Sequence, residues 1–165
     1  MEKEIERLKS YGFTGFIPVR QLRFSTDVIP KTRGVYIVIR DKTTGPSFLP
    51  VGTGGFFKEK NPNVSVSELE SNWVEGTKIV YIGKAGDPGK KATLNSRIKQ
   101  YLRFGKGEKA GHSGGRYIWQ LSDAEDLIFA WKPLPEEIPS EIETRLIREF
   151  KTAHQGRRPF ANLSK

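Results

Sequence analysis

Glu143 is the residue whose placement asks most of its surroundings. At about 100° per residue, a helix over 140–154 puts Ile142, Leu146, Ile147, Phe150 and Ala153 on one stripe, and Glu143 falls inside it. A carboxylate there is costly unless it meets a cation, a donor or water. A metal ion is one answer. A helix cap is the other, because Ser140-x-x-Glu143 is a capping-box pattern that sets a backbone N–H against the carboxylate. Arg97 and Tyr101 lie four apart, so on a helix over 94–104 they share one flank of the stripe Leu94, Ile98, Leu102. Such an arginine can cover apolar surface with its stem or clamp a phosphate with two parallel hydrogen bonds. Tyr101 could pack, or donate to the same phosphate. Tyr36 and Tyr81 sit in the apolar runs Gly34-Val35-Tyr36 and Tyr81-Ile82-Gly83, which alone are strand sequence with tyrosines.

The elements that must position these groups follow from local pattern. Residues 34–39 and 79–82 are rich in β-branched and aromatic side chains and read as strands. Neither alternates cleanly, so both are expected to be inner strands covered on two faces. Leu127–Leu134 reads as a third strand. Residues 2–10 suit a short helix, as do 66–73, where Ser67-x-x-Glu70 is a capping-box candidate. Residues 41–64 carry Gly52-Thr53-Gly54-Gly55 and Asn61-Pro62-Asn63 and read as loop. Gly86-Asp87-Pro88-Gly89 marks a turn, and Gly105-Lys106-Gly107 ends the helix over 94–104. Residues 105–116 form a second Gly-rich loop, in which His112-Ser113-Gly114-Gly115-Arg116 is either a phosphate-binding loop or a flexible turn. Gly156 and Pro159 stop the last helix. The apolar neighbours of Trp73, Trp119 and Trp131 favour core packing over base stacking.

Bulk properties narrow the partners. The 165 residues suit one domain, 1–165. Lys and Arg number 28 against 19 Asp and Glu, a formal charge of +9, which favours a polyanion, nucleic acid first. The chain has no cysteine, which excludes disulfides and thiolate metal sites and fits a cytoplasmic location. The charged N-terminus is not a signal peptide. No apolar run is long enough to span a bilayer, so no membrane role is expected.

Read in order, the features are Gly34-Val35-Tyr36, Tyr81-Ile82-Gly83-Lys84-Ala85, Leu94-x-x-Arg97-Ile98-x-x-Tyr101, Glu143-x-x-Leu146-Ile147 and Pro159-Phe160-Ala161-Asn162. This set resembles the GIY-YIG nuclease superfamily, including the domain at the front of the UvrC excision-repair nuclease. The resemblance covers 34–39, 79–104 and 140–163. It implies an α+β fold with a small three-stranded antiparallel sheet flanked by helices. It also implies a metal-dependent endonuclease that hydrolyses phosphodiester bonds in DNA, and so a role such as DNA repair. One Mg²⁺ or Mn²⁺ would be held by Glu143, and Arg97 would contact the scissile phosphate. Tyr36 and Tyr81 would face the reaction centre, with Lys84, Tyr101 and Asn162 in support. Lys84, Arg97, Lys99, Arg103, His112 and Arg116 are the cations expected to meet nucleic acid. A non-catalytic nucleic-acid-binding module on the same fold is the alternative.

The chemistry implied is coherent. Arg97 would neutralise the non-bridging oxygens, and the metal would serve the leaving oxygen. A tyrosine would deprotonate water, with Lys84, Arg97 and the metal expected to lower its pKa from about 10; Tyr36 and Tyr81 are equal candidates. One departure concerns spacing. Tyr36 and Tyr81 are 45 positions apart, so an insert, roughly 41–78, separates the first two strands. Specificity would come from such loops, from an oligomer or from a partner.

Overall fold

The computed structural model describes residues 2–56, 59–110 and 114–164. It is α+β, with an antiparallel sheet of four strands rather than three. In chain order the elements are α1 (Glu2–Ser10), β1 (Thr14–Pro18), α2 (Val19–Leu22), β2 (Gly34–Ile39), α3 (Val66–Asn72), β3 (Ile79–Ala85), α4 (Leu94–Gly105), β4 (Ile128–Pro133) and α5 (Pro139–Ala153). Short 3₁₀ turns cover Arg116–Gln120 and Ala124–Asp126. The strand order is β1-β4-β2-β3. No helix among the described residues is long and apolar enough to cross a membrane.

The alternation of β2 divides the core. Val35, Ile37 and Ile39 pack on one face with Ile142, Ile147 and Phe150 of α5. Tyr36 and Val38 pack on the other with Leu94, Ile98 and Leu102 of α4. A strand with apolar residues at every position is thus explained by two covered faces. Leu94, Ile98 and Leu102 form the buried stripe that the spacing predicts. On α5, Ile142, Ile147 and Phe150 are buried, whereas Ala153 is exposed and lies beyond the sheet's cover.

Several expectations need correction. The fourth strand, β1, pairs with β4 but bulges between Gly15 and Ile17, and Phe16 takes φ 56°. β3 is covered on both faces, as expected, but is an edge strand and not an inner one. Ser65, not Ser67, caps α3, accepting from the Glu68 N–H. α5 begins with Pro139 after Ile138, so Ser140 is already helical and Glu143 is not the partner in a capping box. The cap comes from afar: Asp87 Oδ1 accepts from the Ser140 N–H at 2.8 Å.

The insert between β2 and β3 is docked, not loose. Gln120, 1% exposed, accepts from the Val64 N–H and donates to the Leu49 and Val64 carbonyls. Arg40 is buried and pairs with Asp123 at 2.9 Å while donating to the Thr44 and Gly45 carbonyls. Trp119 and Trp131 are core residues, and half-buried Trp73 packs on Phe48 and Phe160.

Candidate functional site

The free edge of β3 is where the sequence's scattered candidates meet. An exposed edge leaves N–H and C=O groups unpaired, and the C-terminal segment satisfies them here. The Asn162 carboxamide accepts from the Ile82 N–H at 3.0 Å and donates to the Ile82 carbonyl at 2.9 Å. The Ala161 N–H donates to the Val80 carbonyl at 2.8 Å. Asn162 therefore acts as a one-residue strand. Its truncation strands two polar groups at Ile82, which is 1% exposed. Asn162→Ala is expected to cost about 1–3 kcal/mol, measured by urea denaturation; unchanged stability would show that the pairing contributes nothing.

Beside this edge lies a cavity of about 370 Å³, lined by Tyr36, Tyr81, Lys84, Asp87, Arg97, Glu143 and Asn162 among others. α4 brings Arg97 from one face of the sheet, and α5 brings Glu143 from the other. Glu143 is 7% exposed. Half-buried Arg97 donates from Nη1 to Gln100 Oε1 at 3.0 Å, which braces the guanidinium.

The tyrosines share a face because of register. Tyr36 pairs across the strands with Gly83, and Tyr81 lies one diagonal step away, with ring centroids 6.0 Å apart. The register from Tyr81 to Gly83 is unbroken, which keeps Tyr81 on the side of Tyr36; the bulge falls just before it and adds Val80 to the same face. The Tyr36 ring lies over Gly83, where a Cβ would fall 2.4 Å from Cζ. A hydrogen bond joins the two hydroxyls; it raises the pKa of Tyr36 and lowers that of Tyr81.

The expected lowering of the tyrosine pKa values does not occur in the protein alone. Burial pushes Tyr81 up to about 12, Glu143 adds to the rise, and Arg97 and the Tyr36 hydroxyl oppose it. Burial also raises Tyr36 well above a phenol's ordinary value, the neighbouring Tyr81 reinforces this, and Arg97 opposes it. Lys84 is not among the groups that shift either tyrosine; its ammonium pairs with Asp87.

Other candidates stand elsewhere. Tyr101 is fully buried against Tyr81 and donates its hydroxyl to the Gly115 carbonyl, so it packs behind the cavity and does not line it. Lys99 is exposed, and Arg103 pairs with Glu108 at 3.1 Å; neither lines the cavity. Arg116 lies over the Tyr117 ring at 5.6 Å. His112 falls outside the described residues, though Gly114, two positions on, lines the cavity.

Sequence reasoning missed Asp87. It reads only as a turn residue before Pro88, yet it holds Lys84 and caps α5 at once. Burial works against its carboxylate, but the Lys84 and Ser140 hydrogen bonds prevail and hold the carboxyl below its usual range. Its spacing of three from Lys84 was the available signal.

No family model matches this chain, and no curated protein or solved structure was found to match it.

Proposed function

We propose that this chain is a GIY-YIG-type endonuclease that hydrolyses phosphodiester bonds in DNA at the cavity beside β3. The observation that carries this reading is convergence: Tyr36, Tyr81, Lys84, Arg97, Glu143 and Asn162, drawn from separate segments of the chain, line one cavity. They combine a bidentate phosphate donor, a carboxylate and a pair of hydrogen-bonded phenols.

Arg97, braced by Gln100, takes the non-bridging oxygens of the scissile phosphate. Its charge counters the negative charge that grows there as water attacks, and it is fixed in place beforehand. Tyr81 is the phenol more exposed to the cavity, at 8% against 1% for Tyr36. We assign it the attacking water, with Tyr36 donating to its oxygen and stabilising negative charge on it. Lys84, restrained by Asp87, adds positive charge to the rim.

The donor set suits a hard divalent cation. Mg²⁺ is commonly held by one or two carboxylates with waters and substrate phosphates, not by an all-protein cage. Among the described residues no group of three or more His, Cys, Asp or Glu forms such a cage. Two carboxylates line the cavity: Asp87 holds Lys84 and caps α5 at Ser140, and we assign the ion to Glu143, which α5 presents on the cavity side. When bound, Mg²⁺ or Mn²⁺ would polarise a phosphoryl oxygen and neutralise the leaving oxygen.

The reading is tested by incubating the protein and Mn²⁺ with branched, nicked, single-stranded and duplex DNA. Cleavage is expected on at least one, and Arg97→Ala should lower its rate by about 10²–10³-fold with the melting temperature held. DNA that is bound but never cut would favour a binding module on the same fold.

A further inference from the structure

A second cavity, of about 390 Å³, adjoins the first and shares Asn162 with it. Lys151, Arg157 and Arg158 line it, and the insert contributes Asn72 from the end of α3. Among the described residues none of these three cations is paired with a carboxylate. Elsewhere the basic side chains of the fold often are, as with Arg23 and Glu125 or Arg40 and Asp123. Two of the cations are aimed by main-chain oxygens. Arg157 donates to the Ser71 and Trp73 carbonyls, and Arg158 donates to the Leu163 carbonyl. A guanidinium has five N–H donors, so this anchoring leaves others for an anion.

We propose that this groove binds the phosphodiester backbone of a DNA strand beyond the bond at the first cavity. The inference rests on the nuclease reading above and extends it to a substrate contact. Helix geometry sets the distance. Glu143 and Ile147 line the first cavity and Lys151 the second, at steps of four along one face of α5. Glu143 and Lys151 are thus about 12 Å apart along the axis at 1.5 Å per residue. Duplex DNA advances about 3.4 Å per nucleotide along its axis, so with that axis laid along α5 the groove meets phosphates about three to four nucleotides from the scissile one. The insert then has a purpose. Asn72, where α3 ends, lines the groove, and the carbonyls of its neighbours Ser71 and Trp73 hold Arg157 in position.

The test is DNA binding by fluorescence anisotropy over a range of salt concentrations, with Lys151→Gln, the double variant Lys151→Gln/Arg158→Gln, and Lys3→Gln as a control. Lys3 is exposed on α1 and lines neither cavity. Each phosphate neutralised by the protein adds about 0.9 to the slope of log affinity against log salt on duplex DNA. The groove variants are expected to weaken binding and lower that slope by about 0.9 for every phosphate no longer neutralised, whereas Lys3→Gln leaves it in place. Lys151 is half-buried and forms no ion pair among the described residues, so its replacement spares the fold. An unchanged slope in both groove variants, with wild-type DNA binding intact, overturns the groove and leaves the nuclease reading standing. Absence of salt-dependent DNA binding by the wild-type protein overturns both.

Discussion

Glu143→Gln is expected to lower metal-supported cleavage by at least about 10²–10³-fold, the scale on which loss of one charge-stabilising group acts, with the melting temperature and DNA affinity held. Glutamine keeps the length and shape of the side chain, so packing at this buried position survives. The variant loses the negative charge a divalent ion requires. Its metal-free affinity for DNA should be no weaker than that of the wild type, because a negative charge has left a basic cavity. A capping role predicts a different result, since glutamine also serves a capping box. The register of α5 already argues against the cap, because Pro139 opens the helix and Asp87 caps it from another segment. Full activity in Glu143→Gln would remove the carboxylate from the mechanism. Loss of activity together with loss of fold would make its role structural.

The positions that sequence reads well are those where one period explains every residue. β2 is apolar throughout because both its faces are covered, and α4 shows its stripe because one side meets the sheet. β1 escapes such reading for a physical reason. Gly15 and Phe16 both take positive φ, the strand bulges, and Pro18 ends it, so no alternation survives. Its pairing with β4 exists only once β4 is in place. The edge position of β3 is hidden in the same way. Asn162, 80 positions from Ile82, covers that edge, and local pattern carries no trace of the contact.

The candidate site divides similarly. Tyr36, Tyr81, Arg97 and Glu143 can be named because the motifs that carry them stand in a fixed order along the chain, and because Glu143 breaks an apolar helical stripe. A helical wheel turns Tyr101 toward the phosphate because it flanks Arg97. The wheel cannot show that the Gly115 carbonyl waits for its hydroxyl. Gly115 leaves room for that contact, since a Cβ there would fall 2.2 Å from the Tyr101 oxygen. The duty of Asp87 toward Lys84 is legible in their spacing of three, but its cap on Ser140 is not, because only the approach of α5 brings that N–H to it.

Gly83→Ala should be among the most damaging single-methyl changes in this fold. The φ of Gly83 lies outside the left-handed region, so alanine meets no backbone strain there; the obstacle is the Tyr36 ring. The new Cβ would lie 2.4 Å from Cζ, 2.7 Å from the hydroxyl oxygen and 2.8 Å from Cε1 of that ring. The ring has little room to retreat. It is 1% exposed and sits among Phe129, Tyr81 and Tyr101, with centroids 6.2, 6.0 and 6.4 Å away. Overpacking of this kind costs about 1–3 kcal/mol, a large share of a total stability of about 5–15 kcal/mol. In a chain of this size each kcal/mol lowers the melting temperature by about 2–4 °C. Cleavage should fall as well, because the displaced Tyr36 hydroxyl no longer meets that of Tyr81. A double-mutant cycle with Tyr36→Ala isolates the contact. Removing the ring empties the space the methyl needs, so Gly83→Ala should cost less in that background, with a coupling of about 0.5–3 kcal/mol read from urea denaturation of the four proteins. Strict additivity would mean that the ring does not lie over Gly83, and the glycine of the second tripeptide would need another explanation.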